Sequence, residues 1–180
     1  MMMMMKSTVD SPQSTVRRLV TRCELSTVNC RLLAITMALT AAACVPQTAS
    51  TPKAGSKMPS SIIDPYLKIQ TALANDSTEG IRQNAGDIAP AATALGAPAF
   101  KIDTAAAQLT SAGDLDDARA KFGALSVALD TYMTGLHLEP PDEVRVAFCP
   151  MENKPWLQKD GAIQNPYYGS KMISCGDFKK

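Results

Sequence analysis

Between Leu115 and Leu136 the apolar side chains recur at steps of three and four: Leu115, Ala118, Phe122, Leu125, Leu129, Tyr132 and Leu136. That spacing puts all seven on one face of an α-helix of about twenty residues. A helix with one apolar face must be covered by other elements, so the chain is expected to build a layered helical fold around it. Three weaker stripes precede it. Asp64 and Pro65 read as a cap and first-turn proline, followed at helical spacing by Tyr66, Leu67, Gln70, Leu73 and Ala74, with Ile63 just ahead. Ser77 or Thr78 can cap a second helix carrying Ile81, Ala85, Ile88, Ala92 and Leu95, in which Pro90 should kink the helix or start a new turn. After Gly96 and Pro98 a third segment carries Ile102, Ala106 and Leu109 and stops near Gly113. The expectation is a mainly α fold, an antiparallel helical bundle of about four helices.

After the last helix the period changes from helical to two. In EVRVAFC, Val144, Val146 and Phe148 alternate with Arg145 and Ala147, the pattern of a half-buried strand. It delivers Cys149 to a strand end, where Pro150 turns the chain. From there to Lys180 the sequence reads as irregular, broken by Pro155, Gly161, Pro166, Gly169 and Gly176, with a short strand around MISC able to pair with EVRVAFC. The helices are therefore expected to carry a small irregular or β cap at the C-terminus that holds two cysteines.

The start of the chain has the layout of an address. Arg17, Arg18, Arg22 and Arg31 precede the apolar run LLAITMALTAAA, which ends at Cys44. A basic region, an apolar region shorter than the roughly 20 residues of a spanning helix, and a small-residue cleavage site make a signal peptide over residues 1–43. TAAAC resembles a bacterial lipobox, which implies lipidation of Cys44; ordinary cleavage near Ala43 is the alternative. Residues 44–60 are rich in Pro, Ser, Thr and Lys and read as a flexible tether. Residues 61–180 then form a single helical domain of ordinary size. The expected location is the periplasmic side of a bacterial membrane, with the outer membrane favoured, and attachment through the lipid.

Charge excludes some functions. The removed segment carries five of the 18 basic and two of the 17 acidic residues, leaving 13 against 15. With no basic stripe interleaved with aromatics and no phosphate-binding glycine loop, no nucleic-acid partner is expected. An enzyme is not expected either. The single His137 has no acidic partner at recognisable spacing and reads as a solvated side chain, while Asp114, Asp116 and Asp117 fit a helix start, where they favour the dipole.

Cysteine arithmetic narrows the chemistry. Of five cysteines, Cys23 and Cys30 leave with the signal and Cys44 takes the lipid, so Cys149 and Cys175 remain. An exported pair can form a disulfide, worth about 3.5 kcal/mol for a loop of this size, or hold a metal. Met151 stands two residues after Cys149, and Met172 three before Cys175. Two thiolates with two thioethers form a soft donor set suited to Cu(I) or Ag(I), and poorly suited to Mg²⁺ or Ca²⁺. Cys149, Met151, Met172 and Cys175 are the candidate metal ligands. Met133 reads as core, Trp156 as an anchor for the irregular segment, and Tyr167 and Tyr168 as turn-packing residues.

CPM, WLQ, IQNPYYG and MISCG, in that order, resemble the signature of a domain of unknown function, number three-three-four-seven. That domain occurs alone in exported proteins and at the C-terminus of some heavy-metal efflux adaptor proteins. DPYLKIQTAL and FGALSVAL resemble its helical part, so the similarity runs from about Ile62 to Lys180. The resemblance implies a heavy-metal efflux neighbourhood, with an efflux adaptor or another periplasmic metal-handling protein as partner. Two functions are thus expected: a lipoprotein binding a soft metal such as Cu(I), or a protein-interaction module stapled by a Cys149–Cys175 disulfide.

Overall fold

The structure, a computed structural model, describes residues 49–179. The signal segment and Cys44 lie outside the described residues. Four α-helices come first: α1 (Ser60–Ala74), α2 (Ile81–Ala94), α3 (Phe100–Leu109) and α4 (Leu115–Gly135). A small antiparallel sheet follows, built from β1 (Val144–Cys149), β2 (Lys154–Lys159) and β3 (Asp177–Phe178) in the order β2-β1-β3. The fold is mainly α with a β cap at the C-terminus.

The stripe read from Leu115 onward is the buried face of α4. Ala118, Phe122, Leu125 and Leu129 are fully enclosed, and Tyr132 nearly so. Asp114 caps the helix, its carboxylate accepting from the Asp117 amide at 2.8 Å. Consecutive helices pack on one another, and α4 and α1 then carry β2. Because Leu125 is enclosed on all sides, Leu125→Ala should cost about 2–5 kcal/mol. An unchanged urea midpoint would show that this face is not the core.

Several boundaries differ from expectation. α1 starts at Ser60, one turn before Pro65, because an extended Pro59 opens it and its carbonyl receives the amides of Ile62 and Ile63, both buried in the core. Pro65 therefore sits inside the helix. α2 starts at Ile81 after a left-handed Gly80, without a side-chain cap from Ser77 or Thr78, and runs on through Pro90 to Ala94. Residues 49–59 are also not a free tether. Gly55 and Met58 donate to the carbonyls of His137 and Glu139 at 2.8 and 3.0 Å, and Glu139 donates back to Ser56 at 3.0 Å. Met58, the large apolar side chain of that segment, is buried, which gives the strand-like stretch a reason to dock.

The cap departs from the sequence reading in three ways. The main partner of β1 is KPWLQK, in a register running from Val144↔Lys159 to Cys149↔Lys154; MISC forms a turn, and the third strand is Asp177–Phe178. A proline is tolerated at position 155 because β2 is an edge strand. The outer edge of β2 is covered: the Leu157 amide donates to the Tyr66 hydroxyl at 3.2 Å, and that hydroxyl pairs with Ser126 on α4 at 2.7 Å. The enclosed face of β1 belongs to Ala147 and Cys149, while Val144, Val146 and Phe148 are only half-buried. Ala147 lies opposite both Trp156 and Phe178, so aromatic rings on the flanking strands fill that face and leave room for small side chains on β1. Among the described residues, no helix is long and apolar enough to cross a membrane.

Candidate thiol and metal site

β1 carries Cys149 to its last position, where the side chain is fully buried; Cys175 is half-buried just before β3. The pairing of Phe148 with Asp177 brings the two cysteines, 26 apart in sequence, into the same corner. Each thiol is free, and they lie near enough for the Cys149 sulfur to act on the Cys175 thiol electrostatically. Burial, and then the neighbouring Cys149 sulfur, push the Cys175 thiol above its ordinary pKa. Both effects disfavour a negative charge on Cys175.

Asn165 is the residue around which the corner is built. Fully buried, it donates from Nδ2 to the Cys149 sulfur at 3.2 Å and to the Cys175 carbonyl at 2.7 Å. Its Oδ1 accepts from the amides of Tyr167 and Tyr168 at 2.8 and 3.3 Å, and its own amide donates to Ile173 at 2.7 Å. One side chain thus fixes a thiol, the backbone beside the other thiol, and the NPYYG turn. Gly176 is required next to it: at φ +133° a Cβ would stand 2.6 Å from the Trp156 ring and 2.8 Å from the Phe148 carbonyl.

Trp156 is fully buried, as an anchor should be. Its Nε1 donates to Gln158 Oε1 at 3.1 Å, and its ring meets Tyr167 edge-on at 5.9 Å between centroids. Tyr167 in turn leans on Phe122 of α4 and donates to the Pro155 carbonyl. Burial raises the Tyr167 pKa, so the phenol stays protonated and able to donate. An aromatic chain therefore connects the thiol corner to the helical core.

A second tie holds the NPYYG segment to the helices. Arg119 on α4 is buried and donates from Nε to Pro166 at 3.2 Å and from Nη2 to Leu73 at 3.2 Å. The same Nη2 pairs with Asp76, whose other oxygen accepts from the Ser170 amide at 3.1 Å. Gly169 lies against this pair, and a Cβ there would fall 2.0 Å from Asp76 Oδ1. Hydrogen bonds from Ser170, and then from Arg119, hold the Asp76 carboxyl at about 2, below its ordinary 3.8. A carboxyl depressed in the folded state contributes stability above its unfolded pKa and loses it as pH falls through the folded value. Urea midpoints should therefore fall between pH 4 and about pH 2 more steeply for the parent than for Asp76→Asn. Parallel curves for the two proteins would remove this pair from the acid response.

The four candidate ligands are not gathered alike. The thiols meet, whereas Met151 lies in the turn between β1 and β2 at 64% exposure and Met172 follows the 169–171 turn at 41%. Among the described residues, no group of three or more His, Cys, Asp or Glu is placed to hold a metal ion. His137 is exposed with φ +52° and its carbonyl serves Gly55, while Met133 is buried with the core. Asn165, Gln158, Asp76 and Arg119 were missed by pattern reading. For Arg119 a signal existed: a cation three residues before Phe122, one residue from Ala118, lies along an otherwise apolar stripe. Asn165 gave none, because Asn-Pro reads as a turn whatever its amide touches. No family model, no curated protein and no solved structure matches the chain.

Proposed function

We propose that the protein binds a soft monovalent cation, Cu(I) or Ag(I), through the thiolates of Cys149 and Cys175, as an exported, lipid-anchored component of metal handling. The observation that carries this reading is the meeting of two free thiols in a corner formed by β1, the NPYYG turn and the start of β3. Thiolates are the ligands such ions prefer. Asn165 Nδ2 is placed to donate to a Cys149 thiolate and so to orient it, the role an outer-shell partner plays in a metal site. The thioethers of Met151 and Met172, near the cysteines in sequence but exposed, are read as supplementary donors. The four helices, joined by short links, are read as an antiparallel bundle that supports this cap. Cys44 would hold the domain at the membrane, and a heavy-metal efflux adaptor would be the partner.

The test is a titration of the fully reduced protein with Cu(I) against a competing chelator. Uptake of one equivalent with loss of two titratable thiols is the expected result; no uptake ends the metal reading. A second reading has its own support. Oxidation of the same two thiols, which are free here, would tie the end of β1 to the approach to β3. In that case the protein is a non-enzymatic interaction module whose cap is stapled, and metal uptake would appear only after reductant.

A further inference from the structure

Lined by Tyr167 and Tyr168 but by neither cysteine, a cleft of about 290 Å³ opens between α4 and the cap. Asp116, Arg119 and Ala120 form its helix side, and Glu152, Lys154 and Lys171 join the tyrosines on the other. We infer that this cleft binds a small organic carboxylate, held between Arg119 Nη1 and the Lys171 ammonium with its apolar body against Tyr168.

The guanidinium is the starting point. Arg119 has only 9% of its side chain exposed, and Nε and Nη2 are committed to Pro166, Leu73 and Asp76. Nη1 is left over. Its nearest acid, Asp116, stands 3.8 Å away, past hydrogen-bond range, on a side chain 90% exposed to water. The guanidinium is clamped by its bonds to Pro166, Leu73 and Asp76, so it loses little freedom when an acceptor closer than Asp116 reaches Nη1. Lys171 supplies the second positive group, since it enters none of the ion pairs among the described residues. The remaining charges are already matched: Glu152 accepts from Lys154 at 3.0 Å and from the Tyr168 hydroxyl at 3.1 Å. The cleft therefore presents a guanidinium edge engaged only by the long Asp116 ion pair and an ammonium outside the ion pairs of the described residues, which suits one oxygen each of a carboxylate.

Size sets the rest of the ligand. At about 290 Å³ the cleft lies at the small end of the roughly 300–1,000 Å³ typical of ligand pockets, which excludes large cofactors. The Tyr168 ring and Ala120 offer apolar surface to the part of the ligand that is not charged. None of this depends on the thiols carrying metal.

Benzoate is the probe, with acetate and inorganic phosphate beside it, titrated into the full-length protein while the Tyr168 ring and Arg119 Nε resonances are followed. Saturable shifts at both residues are expected, tighter for benzoate than for acetate or phosphate and weakened by added salt. Arg119 also ties α1 to the cap, so it is left intact. Lys171→Gln should weaken benzoate about 2–5-fold, as loss of one exposed charge does, and Lys171→Glu about tenfold or more. Both variants should keep the parent's urea midpoint and its Cu(I) stoichiometry. Absence of saturable shifts with benzoate, phosphate binding as tight as benzoate, or Lys171→Glu binding like the parent would each overturn the assignment.

Discussion

Changing both Cys149 and Cys175 to serine is expected to abolish Cu(I) binding by the reduced protein. A serine hydroxyl is a hard, neutral donor, so each substitution removes a charged soft ligand from a pair that has no third thiol among the described residues to replace it. The loss should exceed the roughly 10–100-fold that removal of an outer-shell partner costs a metal site. Asn165→Leu provides that lesser scale, because it deletes the donor 3.2 Å from the Cys149 sulfur while leaving both thiols. Met151→Leu and Met172→Leu should weaken binding least, since both side chains already face water. Affinity should also climb with pH: the Cys175 thiol is held above its ordinary pKa by burial and by Cys149, and binding requires its proton to leave. Competition titrations of the parent, the double serine variant and the three single variants at several pH values check the order. Parent-like affinity in the double variant, or methionine changes that cost more than the cysteines, would defeat the proposal.

Trp156→Ala is expected to be the most damaging single truncation in the cap, costing about 3–5 kcal/mol. The indole is fully buried, fills the space against Gly176, meets Tyr167 edge-on and donates to Gln158. Its removal leaves a cavity and takes a partner from the buried Gln158 amide, whose Oε1 also receives the Gln164 amide. Against a total stability of about 5–15 kcal/mol for an ordinary domain, that is a large fraction. Trp156→Phe keeps part of the volume and should recover part of the loss. Because the ring also backs the thiol corner, the alanine variant should expose Cys175 to faster alkylation. Urea unfolding and thiol alkylation rates, measured on the three proteins together, decide the matter. A loss below about 1 kcal/mol for Trp156→Ala would mean that the tryptophan is not what holds the cap to the helices.

Legibility followed the range of the interactions. The face of α4 was readable from Leu115 to Leu136 because a helix repeats locally, and side chains three and four apart must share a side. The start of α1 was misread because the Asp64–Pro65 signal competed with burial of Ile62 and Ile63, and tertiary packing won. The candidate site divides the same way. The sulfur residues were visible as a composition, CPM and MISC, but nothing in that composition distinguishes a thiol buried in the cap from a thioether left in water.

By itself the sequence determined four helical segments, a change to strand periodicity at EVRVAFC, and two cysteines in the last part of the chain, because each is written in residues near one another. Only the tertiary structure decided that KPWLQK is the principal partner of β1 and that Ala147 and Cys149 face inward. It alone placed Asn165 on a sulfur 16 residues away and Arg119 on Asp76 across 43 residues. Those choices depend on which side chains can share one enclosed volume, and on buried polar groups having to find partners wherever the fold has put them.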